Sequence, residues 1–310
     1  MNGTYPDAGR PTRNGAGHLR PILLLLLTTA AIYASGPAQA RAFSSVPADT
    51  TAADPDSSRI DPLRLGIVTG ASVGGFVVGH VVLTDLWWKG ESGGFHFNWT
   101  RDWRYALGAD KVGHAVMPYI ATDLYRGALE WSGLSHRSAL WTAAGVSWTY
   151  MAYIEVRDGF SKEWGFSWGD MIANTIGVGW RVAEDYWPAM QGVRFKVSYW
   201  PSEAWRAGLY GSIVDDYEST YHWGSVDPEI FMPDSWGDIW PDWLNIALAH
   251  TVEGIVDYDG SGRHRFYLAL DIDTEGLPGG GSFWRVVKRV LNYYHFPLPA
   301  IRIGRGLTIR

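Results

Sequence analysis

The pattern of hydrophobic and polar positions changes near Pro188 and divides the chain into two parts. Before Pro188, long uncharged stretches that contain many glycines predict helices. Four helices are expected, at about residues 65–84, 110–131, 138–157 and 167–188. After Pro188, apolar residues alternate with polar or small ones, as in Val193–Tyr199, which predicts half-buried antiparallel strands. The sequence therefore predicts an α+β protein, in which a four-helix, glycine-rich domain precedes a small antiparallel β-sheet.

Three further segments of the second part show the two-residue period of a strand. They cover residues 244–248, 266–272 and 301–309. Between the first two predicted strands, residues 214–243 are rich in acidic and aromatic side chains and are predicted to form a long loop. We expect four to six strands, which is fewer than a single-chain transmembrane barrel requires. The predicted domains are a helical domain at residues 63–190 and a β domain at residues 191–310.

The N-terminal region has the pattern of an export signal. Basic residues precede an apolar run at residues 21–33, and Ala38-Gln39-Ala40 follows as a cleavage site. Residues 1–40 are therefore predicted to be a signal peptide that is removed. Residues 41–62 are rich in Ser, Thr, Ala, Asp and Pro, which predicts a disordered tether. We expect an exported protein, in the periplasm or at a membrane of the cell envelope.

The first predicted helix has features of a membrane segment. Residues 65–84 carry no formal charge and include five glycines at spacings of four, namely Gly66, Gly70, Gly74, Gly75 and Gly79. Small residues at this spacing let helices approach closely in lipid, so these glycines predict helix–helix self-association. The 18 Trp residues also suit a membrane interface. The helical domain is therefore predicted to be membrane-associated, and the alternative is a glycine-rich soluble bundle in the periplasm.

Charge and cysteine content exclude several classes of function. The formal net charge is −6, which excludes nucleic acid as an expected partner because phosphate binding needs a basic face. The sequence contains no cysteine. This excludes disulfides, thiolate metal sites, cysteine nucleophiles and a lipid anchor on cysteine.

Polar residues at helical spacing identify a candidate site in the helical part. Asp110 and His114 share one helix face, and Glu155 and Asp158 end the third predicted helix. Ser167 and Asp170 fit a helix N-terminal cap. The candidate catalytic residues are His114, Glu155, Asp158 and Asp170, and the surrounding polar network comprises Asp110, Lys111, Ser167, Asn174 and Arg181.

These motifs carry a resemblance to known families. The run of Asp110-Lys111-x-x-His114, Glu155-x-x-Asp158 and Ser167-x-x-Asp170-x-x-x-Asn174 resembles the YfiM-like family of predicted periplasmic lipoproteins, a family of unknown function (domain-of-unknown-function family 2279). The resemblance covers about residues 108–182 and implies a periplasmic location. The segment from Asp170 to Gly177 is also similar to VanZ-like membrane proteins, although the Gln and Arg expected around it are absent.

Two functions remain open at this point. In the leading interpretation, the protein is non-enzymatic: the polar cluster fixes helix packing, and the sheet binds a membrane lipid, an envelope glycan or a protein. In the alternative, it is an envelope hydrolase or a lipid- or glycan-modifying enzyme. Glu155 or His114 would then act as general base, and Asp158 and Asp170 would orient that base or hold a divalent metal ion. No cofactor is firmly implied by the sequence, and a divalent metal ion is the one candidate.

Overall fold

The computed structural model describes residues 59–90, 92–208, 212–233, 240–255 and 261–304. The predicted signal peptide, nearly all of the predicted tether and Ile309 lie outside these residues. Within them, the chain is an α+β protein with seven helices and one five-stranded antiparallel sheet, which confirms the predicted fold class.

Four long helices lie close to the predicted positions. They are α1 (Pro62–Leu86), α2 (Ala109–Trp131), α3 (His136–Gly159) and α4 (Trp168–Tyr186). Three shorter helices follow: α5 (Pro188–Gln191), α6 (Glu203–Arg206) and α7 (Ser282–Leu291). Side-chain caps explain several helix starts: Asp61 accepts from two backbone amides of α1, and Ser167 accepts from the Asp170 amide at 2.9 Å. The helix start predicted at Ser167 is therefore confirmed.

The sheet is a simple meander in which each strand pairs with the next along the chain. Its strands are β1 (Val193–Tyr199), β2 (Thr220–Val226), β3 (Leu244–Glu253), β4 (Arg263–Ile272) and β5 (Ala300–Ile303). The prediction of one long loop at residues 214–243 is wrong over β2. Aromatic and polar residues occupy both faces of β2, so its sequence does not show the alternation of apolar and polar residues that is typical of a strand. Helix α7 was also not predicted.

The covered face of the sheet is polar. Lys196, Ser225 and Asp271 are completely buried there, beside the small residues Ala247 and Ala249. The Lys196 ammonium pairs with Asp271 and donates to Asn292 Oδ1 at 2.8 Å. The segment after α7 covers this face. His295 stacks on Trp223 there, with ring centroids 3.6 Å apart.

The opposite face of the sheet is aliphatic where β3, β4 and β5 meet. Six side chains form one contiguous block there, and each is between 38% and 73% exposed. We call this block the outer aliphatic patch; its members are Ile246, Leu248, Leu268, Leu270, Ile301 and Ile303. Helix α2 covers a different part of the same face, where Tyr119 packs against Phe195 of β1. The sheet thus buries polar residues on one side and exposes aliphatic residues on the other.

Helix α1 is the one helix in the described part of the chain that is long and apolar enough to cross a membrane. Only 6% of its apolar window is buried, and Val68 is its one buried residue. Val68 packs against α2 and α3, together with Ala128 and Ala139. Side chains added at Gly66, Gly70 or Gly74 would meet no atom within 4 Å. Most of the α1 surface therefore has no partner within the described part of the chain.

Helices α2 and α4 cross at an unusually short distance. A Cβ atom placed on Gly177 of α4 would lie 1.9 Å from the Ala115 carbonyl oxygen of α2. Only glycine permits this approach, because the obstructing atom is backbone and cannot rotate away. The crossing holds the first turns of both helices next to each other, and the candidate site lies there.

We predict that Gly177→Ala destabilises the protein, whereas Gly179→Ala stabilises it. The first change forces a methyl group into a backbone carbonyl, and overpacking of this kind costs about 1–3 kcal/mol. Gly179 lies in the same helix with nothing within 4 Å, so alanine there gains up to about 1 kcal/mol of helix propensity. Denaturant unfolding of both variants tests this. Equal stabilities would contradict the close crossing of α2 and α4.

Candidate functional site

The predicted site residues meet at one end of the α2–α3–α4 bundle. Asp110, Lys111 and His114 lie on the first turns of α2, Glu155 lies on the last turn but one of α3, and Asp170 and Asn174 lie on the first turns of α4. The structure thereby brings together residues that are as much as 64 positions apart in the sequence (Asp110 and Asn174). We call the five acidic residues at this end the carboxylate cluster: Asp102, Asp110, Glu155, Asp158 and Asp170.

Lys111 supplies the positive charge at the centre of this cluster. Its ammonium nitrogen lies 3.0 Å from Asp102 Oδ1, 3.0 Å from Asp110 Oδ2 and 2.8 Å from Asp170 Oδ1. Burial opposes the charge of Lys111, but Asp110 and Asp170 outweigh that effect and raise the pKa of Lys111 above its ordinary value. Lys111 therefore stays protonated and binds three chain segments together.

Asp102 was missed by the sequence analysis. It accepts hydrogen bonds from Ser167 Oγ at 2.6 Å and from the Gly169 amide at 2.9 Å, so it holds the N-terminus of α4. A side chain at position 169 would collide with Asp102, which explains the glycine there. The chain reaches α2 from Asp102 through three successive left-handed residues at 106–108. No spacing or motif in the sequence links Asp102 to this site.

Tyr217 and Trp88 are further members that the sequence did not identify. The Tyr217 hydroxyl donates to Asp110 Oδ1 at 2.8 Å and so connects the β part of the chain to the cluster. Trp88 Nε1 donates to Asp158 Oδ1 at 2.6 Å. Within the described residues, no hydrogen bond or ion pair joins Asp158 to Lys111 or His114. Asp158 thus lies beside the centre of the cluster.

The His114 ring has possible partners on both of its nitrogens. Nδ1 lies 3.2 Å from Asn174 Oδ1 and 3.6 Å from Glu155 Oε1. Nε2 lies 3.7 Å from Asp110 Oδ1 and 3.9 Å from Asp170 Oδ1. The His114 side chain is 19% exposed, compared with 1% for Glu155. His114 is therefore more exposed than Asp110, Asp170 and Glu155, the three carboxylates around it.

Burial and mutual repulsion perturb the carboxylates. Burial, reinforced by Asp170 and Asp158, raises the pKa of Glu155 well above its usual range. Burial also raises the pKa of Asp158 to about 7, and it raises that of Asp170 to about 6 against the opposing effect of His114. For Asp110 the opposite holds: burial opposes its charge, but His114 and Lys111 keep its pKa below the ordinary value. The cluster therefore contains more acidic groups than its positive charges neutralise.

Arg181, which the sequence analysis grouped with this site, lies elsewhere. It belongs to a second buried set of ionic contacts, centred on Asp123, that we call the Asp123 network. Arg181 Nε lies 2.8 Å and Arg126 lies 2.7 Å from Asp123 Oδ1, and the Tyr293 hydroxyl donates to Asp123 Oδ2 at 2.6 Å. Burial opposes the charge of Asp123, but Arg126 and Arg181 hold its pKa well below the ordinary value. One face of α4 thus contributes to both charged regions.

His136 closes the Asp123 network on the protein surface. Its ring contacts Glu130 of α2 and Asp185 of α4, and Asp185 also accepts from Arg181 at 2.8 Å. The hydrogen bonds to Asp185 and Glu130 raise the pKa of His136 from 6.5 to about 9. The protonated ring thereby joins the start of α3 to α2 and α4.

We predict that stability falls as the pH rises from 6.5 to about 9. A raised pKa in the folded state means that the imidazolium stabilises the fold fully below the unfolded value of 6.5. This contribution is lost as the pH passes the folded value of about 9. Denaturant unfolding across this range measures the slope, which His136→Gln should flatten. His96→Gln, at an exposed histidine outside the network, is the matched control and should keep the wild-type slope.

The comparisons with known proteins support part of this picture. No curated protein and no solved structure matches the chain. A family described as "Predicted periplasmic lipoprotein (DUF2279)" matches residues 97–183, which contain the whole carboxylate cluster but none of the sheet. The sequence has no cysteine that would carry a lipoprotein's lipid. The match at residues 97–183 supports export to the periplasm and gives the domain no known activity.

Proposed function

We propose that this is a non-enzymatic, membrane-associated protein of the cell envelope. In this proposal, the outer aliphatic patch and α1 contact lipid. The carboxylate cluster and the Asp123 network fix the helices and the sheet from the inside. The signal peptide predicted at residues 1–40 would deliver the chain to the envelope.

The observation that carries the proposal is that the sheet buries polar side chains on one face and exposes aliphatic side chains on the other. An antiparallel sheet with one face in water packs its aliphatic residues inward and exposes polar ones. Here Lys196, Ser225 and Asp271 are buried, whereas six aliphatic side chains face outward. A contiguous exposed aliphatic patch of this kind is typical of a surface that contacts a membrane or a partner. Fully burying one Leu or Ile gains about 1.5–3 kcal/mol, so covering six partly exposed ones favours membrane contact by several kcal/mol.

Two further surfaces support contact with a membrane. Helix α1 is long and apolar enough to span a bilayer, and little of it is covered by the chain. Near the carboxylate cluster, six aromatic side chains pack together at the surface: Phe95, Phe97, Trp99, Phe160, Phe166 and Trp168. Trp99 is 72% exposed. Aromatic residues concentrate where membrane and water meet, because their rings are amphipathic.

The open glycines of α1 support self-association as part of the same proposal. Gly66, Gly70 and Gly74 lie on one ridge of the helix, and a Cβ atom added at any of them would meet no atom of the described residues within 4 Å. Gly79 is different, because it already packs against the Tyr150 hydroxyl. A second copy of α1 would fit against the open ridge by close backbone approach.

The burial of the carboxylate cluster favours the non-enzymatic interpretation over the hydrolase. A hydrolytic site has to present its acid and base to a substrate in a concave pocket. Glu155 is 1% exposed, and Lys111 occupies the position between Asp102, Asp110 and Asp170. The lipid partner is favoured over a glycan because the patch consists only of aliphatic side chains.

We predict that labels on the outer aliphatic patch enter hydrocarbon. The chain has no cysteine, so a single cysteine introduced at Leu248 or Leu270 can be labelled specifically with an environment-sensitive fluorophore. In phosphatidylethanolamine–phosphatidylglycerol vesicles, the emission of both labels should shift to the blue. Lipids with a quencher on the acyl chain should reduce it.

The matched control is a cysteine at Arg263, an exposed residue at the start of β4. This label should keep the emission of water and resist quenching by the acyl-chain probe. If the labels at Leu248 and Leu270 behave like the label at Arg263, the patch does not contact lipid. The proposed function would then be wrong.

A further inference from the structure

We propose that Asp110, His114 and Asp170 together bind one divalent transition-metal ion such as Zn²⁺ or Mn²⁺. One nitrogen or oxygen atom from each of the three side chains lies within 4.8 Å of the others. His114 Nε2 is 3.7 Å from Asp110 Oδ1 and 3.9 Å from Asp170 Oδ1. Ligands of a tetrahedral ion at about 2.1 Å are about 3.4 Å apart, so small side-chain rotations complete the site.

The hydrogen-bond pattern of His114 supports a cation between these atoms. When the ring is neutral, Asn174 Oδ1, at 3.2 Å, accepts the proton of Nδ1 and Nε2 carries a lone pair. This lone pair points toward two carboxylate oxygens. A bound cation would accept this lone pair and would also contact the two oxygens, which in addition receive hydrogen bonds from Lys111 and Tyr217. In the competing arrangement the Asn174 amide is reversed and Nε2 carries the proton, which needs no metal.

The charge balance gives a second, independent reason. Five carboxylates lie in the cluster, and in the described part of the chain Lys111 is the fixed cation that contacts them. Glu155 is 1% exposed, yet its Oε1 atom has no hydrogen-bond partner and lies 3.6 Å from His114 Nδ1. Burial keeps a carboxylate such as Glu155 protonated unless a cation compensates its charge. A divalent ion bound at Nε2 would compensate two of these negative charges.

The surroundings of the three ligands resemble the outer shell of a metal site. A histidine that binds a metal through one ring nitrogen donates a hydrogen bond from the other nitrogen to a carboxylate or carbonyl oxygen. This hydrogen bond fixes the orientation of the ring. Here Asn174 Oδ1 takes that position, Glu155 Oε1 lies 3.6 Å from the same nitrogen, and Tyr217 holds Asp110 Oδ1 at 2.8 Å. One imidazole with two carboxylates suits Zn²⁺, Mn²⁺ or Fe²⁺, whereas Ca²⁺ and Mg²⁺ prefer oxygen ligands only. Asn174 is accordingly a positioning residue.

The test uses the full-length, tag-free protein in detergent after removal of metal with EDTA. Titration with Zn²⁺ by calorimetry and with Co²⁺ by visible absorption should show one tightly bound equivalent. His114→Gln and Asp170→Asn should each lose the Co²⁺ bands and most of the Zn²⁺ affinity. Asn174→Ala should weaken Zn²⁺ binding about 10- to 100-fold, the usual effect of losing an outer-shell partner.

His250→Gln is the matched control. His250 Nε2 lies 2.9 Å from His264 Nδ1 on the sheet, so this pair is another place where added metal ions would bind. The His250→Gln protein should still bind one equivalent of Zn²⁺ tightly. Melting curves in EDTA accompany every variant, and only folded variants are compared. Pulsed EPR of the Mn²⁺-loaded wild type needs no variant and should detect nitrogen coupling from coordinated imidazole.

The inference would be overturned by the absence of a tight equivalent in the wild type, by the absence of nitrogen coupling, or by loss of binding in His250→Gln with retention in His114→Gln. The first would support the reversed Asn174 amide, with the proton on Nε2. Tighter binding of Mg²⁺ or Ca²⁺ than of Zn²⁺ would contradict the ligand set. None of these results changes the labelling of Leu248 and Leu270, so the metal site and the proposed lipid contact succeed or fail separately.

Discussion

The Lys111 ammonium, held by three carboxylates, is the interaction on which the arrangement of this end of the molecule depends. Asp102 comes from the segment before α2, Asp110 from the first turn of α2, and Asp170 from the first turn of α4. Breaking a buried ion pair by removing one partner costs about 3–5 kcal/mol, because the remaining charge stays buried. Lys111 has three such partners, so these three segments are positioned together or not at all.

The two charged regions also attach the sheet to the helices. Tyr217, which precedes β2, donates to Asp110 in the carboxylate cluster, and Tyr293, which follows α7, donates to Asp123. Both acceptors are carboxylates, so these bonds are stronger than neutral ones, and the bond of Tyr293 is also buried. The Gly177 crossing lies between the two regions along α4. Helices and sheet are therefore joined at two separate charged contacts as well as by apolar packing.

The sequence predicted the helices and strands better than it predicted the contacts between them. Residue periodicity is a local property, and it located α1 to α4 and four of the five strands. It failed at β2, where His222 and Trp223 place large side chains on opposite faces and erase the contrast between them. Asp102 and Tyr217 were missed because their contacts with the cluster cross long stretches of chain. Arg181 was grouped with Asp170 by helical spacing, but eleven residues of helix span about 16 Å, enough to reach a different network.

This protein buries charged side chains and exposes aliphatic ones, and the two features have to be explained together. A chain with 46% hydrophobic residues has enough apolar side chains to fill an ordinary core. In this protein many of them lie outside, on α1 and on the outer aliphatic patch, while Lys196, Asp271, Lys111 and Asp123 lie inside. Water surrounding the molecule would favour the reverse distribution, since it solvates charges and excludes aliphatic surface. Under the proposed lipid contact, the observed distribution is favourable at α1 and the outer aliphatic patch, because charges near hydrocarbon are least costly where they pair with one another in the interior.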